Sequence, residues 1–349
     1  MNHRSIVNRR TNSGKPQSAI RKQAEPMQNF LRFALIYFVS AIAIVMVFRD
    51  DGVSIMGHLM SSSQVFFIVM GQFALGLALL AGLTTLVVGP KVMLGRARVV
   101  ATAMIASMFI QAAFTLIKTS LPYIVPFYAD PYFAQIDQAL HFGQDPWVLT
   151  HALAESFAAN QLVWVYVSVW GLPAMALPVI IAAIDGNTAR VNRFLVLYIV
   201  GWVVLGNIIA LAGMSAGPVY YDRLIGGDRF ADLAPALVDS GLKATWIGNL
   251  QESLWNVYVE RGQAIGSGIS AFPSVHVAMA FVTALYMGER SRLLIPVGAV
   301  FVAAILFMSI YSGYHYAIDG YASIIVIGAA WAYMRRRATQ AHGFQPAMA

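Results

Sequence analysis

The chain contains no cysteine. That excludes disulfides, thiolate nucleophiles and cysteine-held metals, an absence compatible with a bacterial envelope protein. Charge is scarce too: Asp, Glu, Lys and Arg make up 11% of the 349 residues, so each charge that interrupts an apolar stretch stands out. Acidic residues are the rarer sign, 16 against 23 basic ones, and histidine occurs seven times. No internal repeat is visible.

What is abundant is apolar sequence. Hydrophobic residues make up 58% of the chain, mean hydropathy is +0.65, and several apolar runs reach about 20 residues, the length that crosses a hydrocarbon core of about 30 Å. Lipid offers the backbone no hydrogen-bond partners, and continuous runs without strict alternation select helices over a β-barrel. The expected fold is all-α, a polytopic membrane bundle of about eight spans: 30–48, 64–88, 98–117, 161–184, 194–214, 274–288, 293–311 and 316–334. The sixth is short for a span.

Charge placement sets the topology. With the N-terminus cytoplasmic, 17 of the 23 basic residues fall on the inner side, and 13 of the 16 acidic residues fall outside, the exceptions being Glu25, Asp185 and Glu289. The net charge of +7 is thereby a topology signal, and no nucleic-acid partner is needed to explain it. Both termini are expected in the cytoplasm of a bacterial inner membrane. Residues 1–28, basic and rich in Ser, Asn and Gln, read as a disordered cytoplasmic tail, 29–337 as the membrane domain and 338–349 as a second tail. The first apolar run is too long for a cleaved signal.

Two outer loops remain, 118–160 and 215–272. In the first, Phe133, Ile136 and Leu140 share a helical face with Asp130 and Asp137 set away from it, and Trp147 follows, as in a helix lying in the interface. The second holds four basic residues, Tyr220, Tyr221 and a glycine-rich approach, 262–268, into the first of the chain's two informative motifs.

That motif is Ser270-Ala271-Phe272-Pro273-Ser274-Val275-His276. It reads as a helix start, where free N–H groups, Ser274 and His276 suit an anion such as phosphate. The other motif is Tyr314-His315-Tyr316-Ala317-Ile318-Asp319-Gly320. It puts His315 and Asp319 four residues apart, on one face if helical, where a carboxylate orients an imidazole. Because spans six and eight run in the same direction, both histidines lie at outer helix starts. A lone histidine at a helix end is more often an interfacial residue satisfied by water; an ionisable pair at the membrane boundary beside a second histidine reads as a reaction centre. A zinc site of His276, His315 and Asp319 fits by ligand type but needs a fourth ligand. A transporter would place its ionisable groups at mid-span, and Ser267 lacks the setting of a serine nucleophile.

These two motifs resemble the second and third signature blocks of the type 2 phosphatidic acid phosphatase superfamily. The family's first block, a lysine followed by an Arg-Pro pair, is not recognisable, and Ser309 stands where the third block usually has arginine. Both departures, with Gly217-Pro218-Val219-Tyr220-Tyr221 and the stretch 137–142, resemble the branch containing inositol phosphorylceramide synthase. The resemblance implies a phosphotransferase or phosphatase for lipid phosphates that needs no cofactor and no metal. His315 would be the nucleophile, Asp319 its partner and His276 the acid and base. Ser274, Arg223, Arg229, Tyr220 and Tyr221 would hold the phosphate or the substrate, with the lipid bilayer as the setting. Water or an alcohol could accept the phosphoryl group; the branch leans to an alcohol.

Overall fold

The computed structural model describes residues 15–49, 89–155, 159–260 and 268–343, with isolated positions between 50 and 88. Every regular element among the described residues is helical. We number them α1 (Lys15–Phe48), α2 (Pro90–Ile124), α3 (Asp130–Leu140), α4 (Pro146–Ala154), α5 (Ala159–Ile184), α6 (Thr188–Ala212), α7 (Pro218–Leu224), α8 (Leu233–Asp239), α9 (Trp246–Val259), α10 (Val275–Arg290), α11 (Ile295–Tyr311) and α12 (Ala317–Gly343).

Six stretches are long and apolar enough to cross a membrane: Ala24–Phe48, Met93–Ile124, Ala159–Ile184, Thr188–Ala212, Arg292–Tyr311 and Ala317–Gln340. The chain is an integral membrane protein. Ile36, Val39, Val300 and Ile325, each about two-thirds exposed, are lipid-facing positions on three of these helices. The expected span 64–88 lies outside the described residues. The expected span 274–288 is α10, whose 16 residues give about 24 Å, short of a full hydrocarbon core.

A short helix is tolerated there because α10 is surrounded by protein. Val275, Ala278, Met279 and Val282 pack into the core built with α1, α2, α5 and α6, while Val277 and Ala280 pack into a second core with α11 and the outer helices. Small residues permit close approach to α11: a Cβ on Gly298 would lie 2.9 Å from that of Ala284. The first residue after the cap of this central helix but one is His276.

Two boundaries differ from the compositional reading. Helix α1 begins at Lys15, inside the segment expected to be a disordered tail, and α12 continues to Gly343, inside the second expected tail. Extending a helix from a membrane-held segment costs less than nucleating one, so polar flanks continue it. The described charged ends of the bundle are also sorted. Arg190 binds Asp185 with both Nε and Nη2, at 2.6 and 2.8 Å, and Arg193 binds Glu289. Two of the three acidic residues on the basic side thus have arginine partners there.

Candidate active site

At the opposite end, α10 and α12 start side by side. Ser274 caps α10, its Oγ accepting from Val277 N, and its own N–H donates to the Asp319 carbonyl at 3.1 Å. The Ser323 hydroxyl lies 2.9 Å from both the Ser274 and the Asp319 carbonyls. The two motifs are therefore joined backbone to backbone. Pro273 lies just before the cap, two residues ahead of the first helical position that its chemistry suggested.

His315 precedes α12, so the i,i+4 pairing arises at a helix start and not along a helix. Tyr316 is the capping residue, and Asp319, in the first turn, reaches back so that its Oδ2 accepts from Tyr316 N at 3.0 Å. The same oxygen lies 3.1 Å from His315 Nδ1. Asp319 is fully buried, and its Oδ1 has no hydrogen-bond partner among the described residues. An orphaned buried carboxylate oxygen costs stability, and such atoms concentrate where function requires them. With Nδ1 held, Nε2 is the atom of His315 left for chemistry. Burial, reinforced by the charge of Lys118 and opposed by a backbone hydrogen bond with Ala271, pushes the His315 imidazole down to about 3. That direction favours the neutral imidazole, the form with a nucleophilic lone pair.

His276 faces it, the ring centroids 6.1 Å apart. Its imidazole stacks on Tyr166 at 4.6 Å and on Trp170 at 4.0 Å, and Trp170 Nε1 donates to its carbonyl at 2.8 Å. A π-helical turn, Val165–Val169, contains Tyr166 and ends just before Trp170 in α5, a distortion often found at functional sites. Ser309, the position where arginine was missing, is buried in the wall of the site. Its hydroxyl is 3.4 Å from that of Tyr166, and its carbonyl accepts from His315 N.

Two aspartates on α3 fasten this loop. Asp137 accepts from Ala317 N and Ile318 N, at 2.7 and 3.0 Å, closing the N-terminus of α12. Asp130 accepts from Ala216 N, Gly217 N and the Tyr316 hydroxyl. Burial pushes both carboxyls up, and these donors pull them back. Gly217 has φ of 86°, and a Cβ there would meet the Tyr314 carbonyl at 2.3 Å, so only glycine brings the two loops this close. On α3, Ile136 and Leu140 are exposed, while Asp130 and Asp137, set away from them, are buried against the neighbouring loops. Orphan N–H groups at neighbouring helix starts require acceptors more than α3 requires apolar cover. Replacing Asp137 by asparagine turns one acceptor into a donor facing donors. The expected result is a loss of roughly 1–3 kcal/mol of stability and about a tenfold loss of turnover, read by thermal unfolding and kcat on the same sample.

The other anticipated contacts are set further out. Arg223 lies 3.6 Å from Glu252 and over the Trp255 ring, and Lys243 binds the same carboxylate at 2.5 Å. Arg229 pairs with Asp145 at 2.9 Å; Asp145, with Trp147 and Phe230, lines a small crevice that reaches His315. The Tyr220 hydroxyl donates to the Gln251 carbonyl, and Tyr221 packs edge-on to Phe230. Arg261 lies outside the described residues, as does the glycine-rich approach apart from Gly268. No three His, Asp or Glu side chains group as a metal set among the described residues.

Among the described residues, the cation whose charge acts on the two histidines is Lys118, which sequence reading assigned to a loop and not to the site. It lies on α2, which continues past the expected end of its span. Its ammonium sits 5.7 Å from the Phe114 ring centre, and no ion-pair partner for it is found among the described residues. The available signal was a lone lysine at the outer end of an apolar run, where the charge bias does not call for one.

A profile of the PAP2 superfamily matches residues 131–333, more than half of the chain and both motifs. The chain belongs to the PAP2 superfamily. Membership supports a phosphatase-type enzyme acting on phosphate esters. No curated protein and no solved structure matches the chain. Lys118 precedes the matched region.

Proposed function

We propose that this PAP2 superfamily member transfers the phosphoryl group of a lipid phosphate ester through a phosphohistidine, with an alcohol as the preferred acceptor. The observation that carries the reading is the placement of His315, held by Asp319 at 3.1 Å and faced by His276. In the first step His315 Nε2 bonds to phosphorus as the ester P–O bond breaks, and His276 protonates the leaving oxygen. In the second, His276 takes the acceptor's proton, the new O–P bond forms and the N–P bond breaks. Asp319 balances the imidazolium, Lys118 the charge on the equatorial oxygens, and the Val275 and His276 N–H groups at the start of α10 have no intrahelical partner of their own.

Preference for an alcohol over water rests on enclosure. The second outer segment packs directly on the loop of His315: Gln251 Nε2 donates to the Ser312 carbonyl at 2.7 Å, the Tyr314 hydroxyl to that of Ile247, and Val219 N to that of Gly313. A covered site restricts water, present at roughly 55 M outside, while a positioned alcohol gains effective molarity. Ser274, Arg229, Arg223, Tyr220 and Tyr221 belong in this reading to the walls around the donor. By the charge bias the site faces the extracytoplasmic side.

Purified protein given a phosphate-labelled phospholipid and a panel of alcohols is expected to pass label to an alcohol, at a rate that EDTA does not change. Label ending only as free phosphate across the panel makes it a phosphatase. Inhibition by EDTA, reversed by zinc, replaces the histidine mechanism with a metal one. A membrane-impermeant donor turned over from the cytoplasmic face reverses the topology.

A further inference from the structure

In the proposed chemistry His276 alternates between a protonated and a neutral ring, yet it lacks the partner that His315 has. Asp319 is engaged with His315, and among the described residues no carboxylate pairs with the His276 ring. The charged groups that act on it are Lys118, from α2, and His315, from the loop before α12, both cationic when charged. Neither helps it to hold a proton. What surrounds the ring instead is aromatic surface.

Tyr166 lies 4.6 Å from His276 between ring centroids with 7° between the planes, and Trp170 lies 4.0 Å away at 21°. Two rings this close and this nearly parallel to one imidazole would overlap each other on a shared face, so they cover opposite faces. Side chains four apart on a regular helix stand about 5–6 Å apart at Cβ, less than an imidazole with a ring on each side requires. The π-helical turn Val165–Val169 widens the coil where these two side chains leave it. Both jaws are themselves held. Trp170 Nε1 donates to the His276 carbonyl at 2.8 Å and its ring packs against Trp202, which meets Phe114 edge-on; the buried Tyr166 has its hydroxyl 3.4 Å from that of Ser309.

We infer that Tyr166 and Trp170 are positioning residues that clamp His276 between two aromatic faces, fix the plane of its ring and stabilise its protonated form in place of the carboxylate it lacks. The inference rests on the phosphotransfer reading. With both faces covered, only the ring edge with its two nitrogens is left for proton transfer, and the ring of His315 stands across from it at 62°. A clamped ring cannot turn over between steps, so the nitrogen that gives its proton to the leaving oxygen is the one that recovers a proton from the acceptor. The negative faces of phenol and indole attract an imidazolium, indole most, and more strongly in a desolvated site than in water.

Full-length protein in detergent tests this with Trp170→Leu and Tyr166→Leu, and with Trp170→Phe and Tyr166→Phe as partners that keep an aromatic face. Formation of phosphohistidine is followed from two donors: phosphatidic acid, whose leaving alkoxide needs a proton, and p-nitrophenyl phosphate, whose phenolate departs without one. Each leucine variant is expected to slow the first donor about tenfold and the second less than threefold, and phenylalanine at either position to recover most of the loss. Equal slowing of both donors makes the two aromatics packing residues only, and no slowing of either makes them dispensable; both results overturn the clamp. A third measurement needs no turnover. A protonated imidazole stacked on indole quenches its emission, so part of the wild-type tryptophan emission is expected to fall as pH is lowered through the histidine range, and that part to vanish in His276→Gln and in Trp170→Phe alike. His151 beside Trp147 contributes the same background to all of them. If the acid quenching is unchanged in both variants, the protonated ring is not held on Trp170 and the clamp fails. Failure of wild type to turn over any donor sinks the phosphotransfer reading instead, and the emission still decides whether the clamp holds a protonated ring.

Discussion

Alanine in place of His315 is expected to lower turnover of every phosphate-ester donor by at least about a thousandfold. In the proposed mechanism the substitution removes the attacking Nε2, and losses from deleting a catalytic nucleophile are of this order or larger. It removes little packing, because His315 is held mainly by its Asp319 contact and by the surrounding loop, so the protein should still elute as a folded species in detergent. The intermediate supplies a second readout. Wild-type protein quenched in denaturant during turnover should carry acid-labile, base-stable label on histidine, and the variant should carry none. His276→Ala should differ from both: a donor with a good leaving group would still phosphorylate His315, while transfer to the acceptor slows, so label accumulates. Residual activity of the His315 variant above about one hundredth of wild type rejects it as the nucleophile.

The parts of this site that were legible from sequence are those where chemistry and spacing coincide locally. His315 and Asp319 are four residues apart, and whether the segment is a helix or a helix start, a carboxylate in the first turn meets the residue before the cap; the pairing survived although the helix begins only at Ala317. His276 followed from a cap-like Ser274 and the direction of the spans. The membrane setting followed from run length, since hydrocarbon thickness leaves few alternatives.

Less legible were features that depend on which neighbour needs what. The periodicity of 130–140 shows which residues share a face, but not which face turns inward. Asp130 and Asp137 turn inward because the N–H groups of Ala216, Gly217, Ala317 and Ile318 arrive there from segments about 80 to 190 residues away, and nothing local announces them. The same holds for Tyr166 and Trp170, apolar-run aromatics whose stacking on His276 depends on the packing of α5 against α10. Arg229 and Arg223 looked like phosphate grips because they are cations beside a tyrosine pair; Asp145 and Glu252, distant in sequence, engage them.

Lys118→Met is expected to lower kcat/KM by roughly a hundredfold to a thousandfold, the second-largest effect at this site. A transferring phosphoryl group spreads negative charge over three equatorial oxygens, and a cation in a water-poor site lowers that barrier by an amount comparable to an oxyanion-hole donor. Methionine keeps the length and apolar stem of the side chain, so the contact with Phe114 and the packing of α2 are retained while the charge is lost. Arg229→Met provides the comparison. Its guanidinium is paired at 2.9 Å with Asp145, which lines the crevice, so its removal should cost about tenfold or less. The two variants separate two ways of replacing the missing arginine at Ser309. If phosphate is gripped from α2, the Lys118 variant loses far more than the Arg229 variant, and Lys118→Arg recovers a substantial part of the rate. A loss below about threefold in Lys118→Met, with a larger one in Arg229→Met, moves the grip to the outer loop and leaves Lys118 as a charge that only biases the histidines.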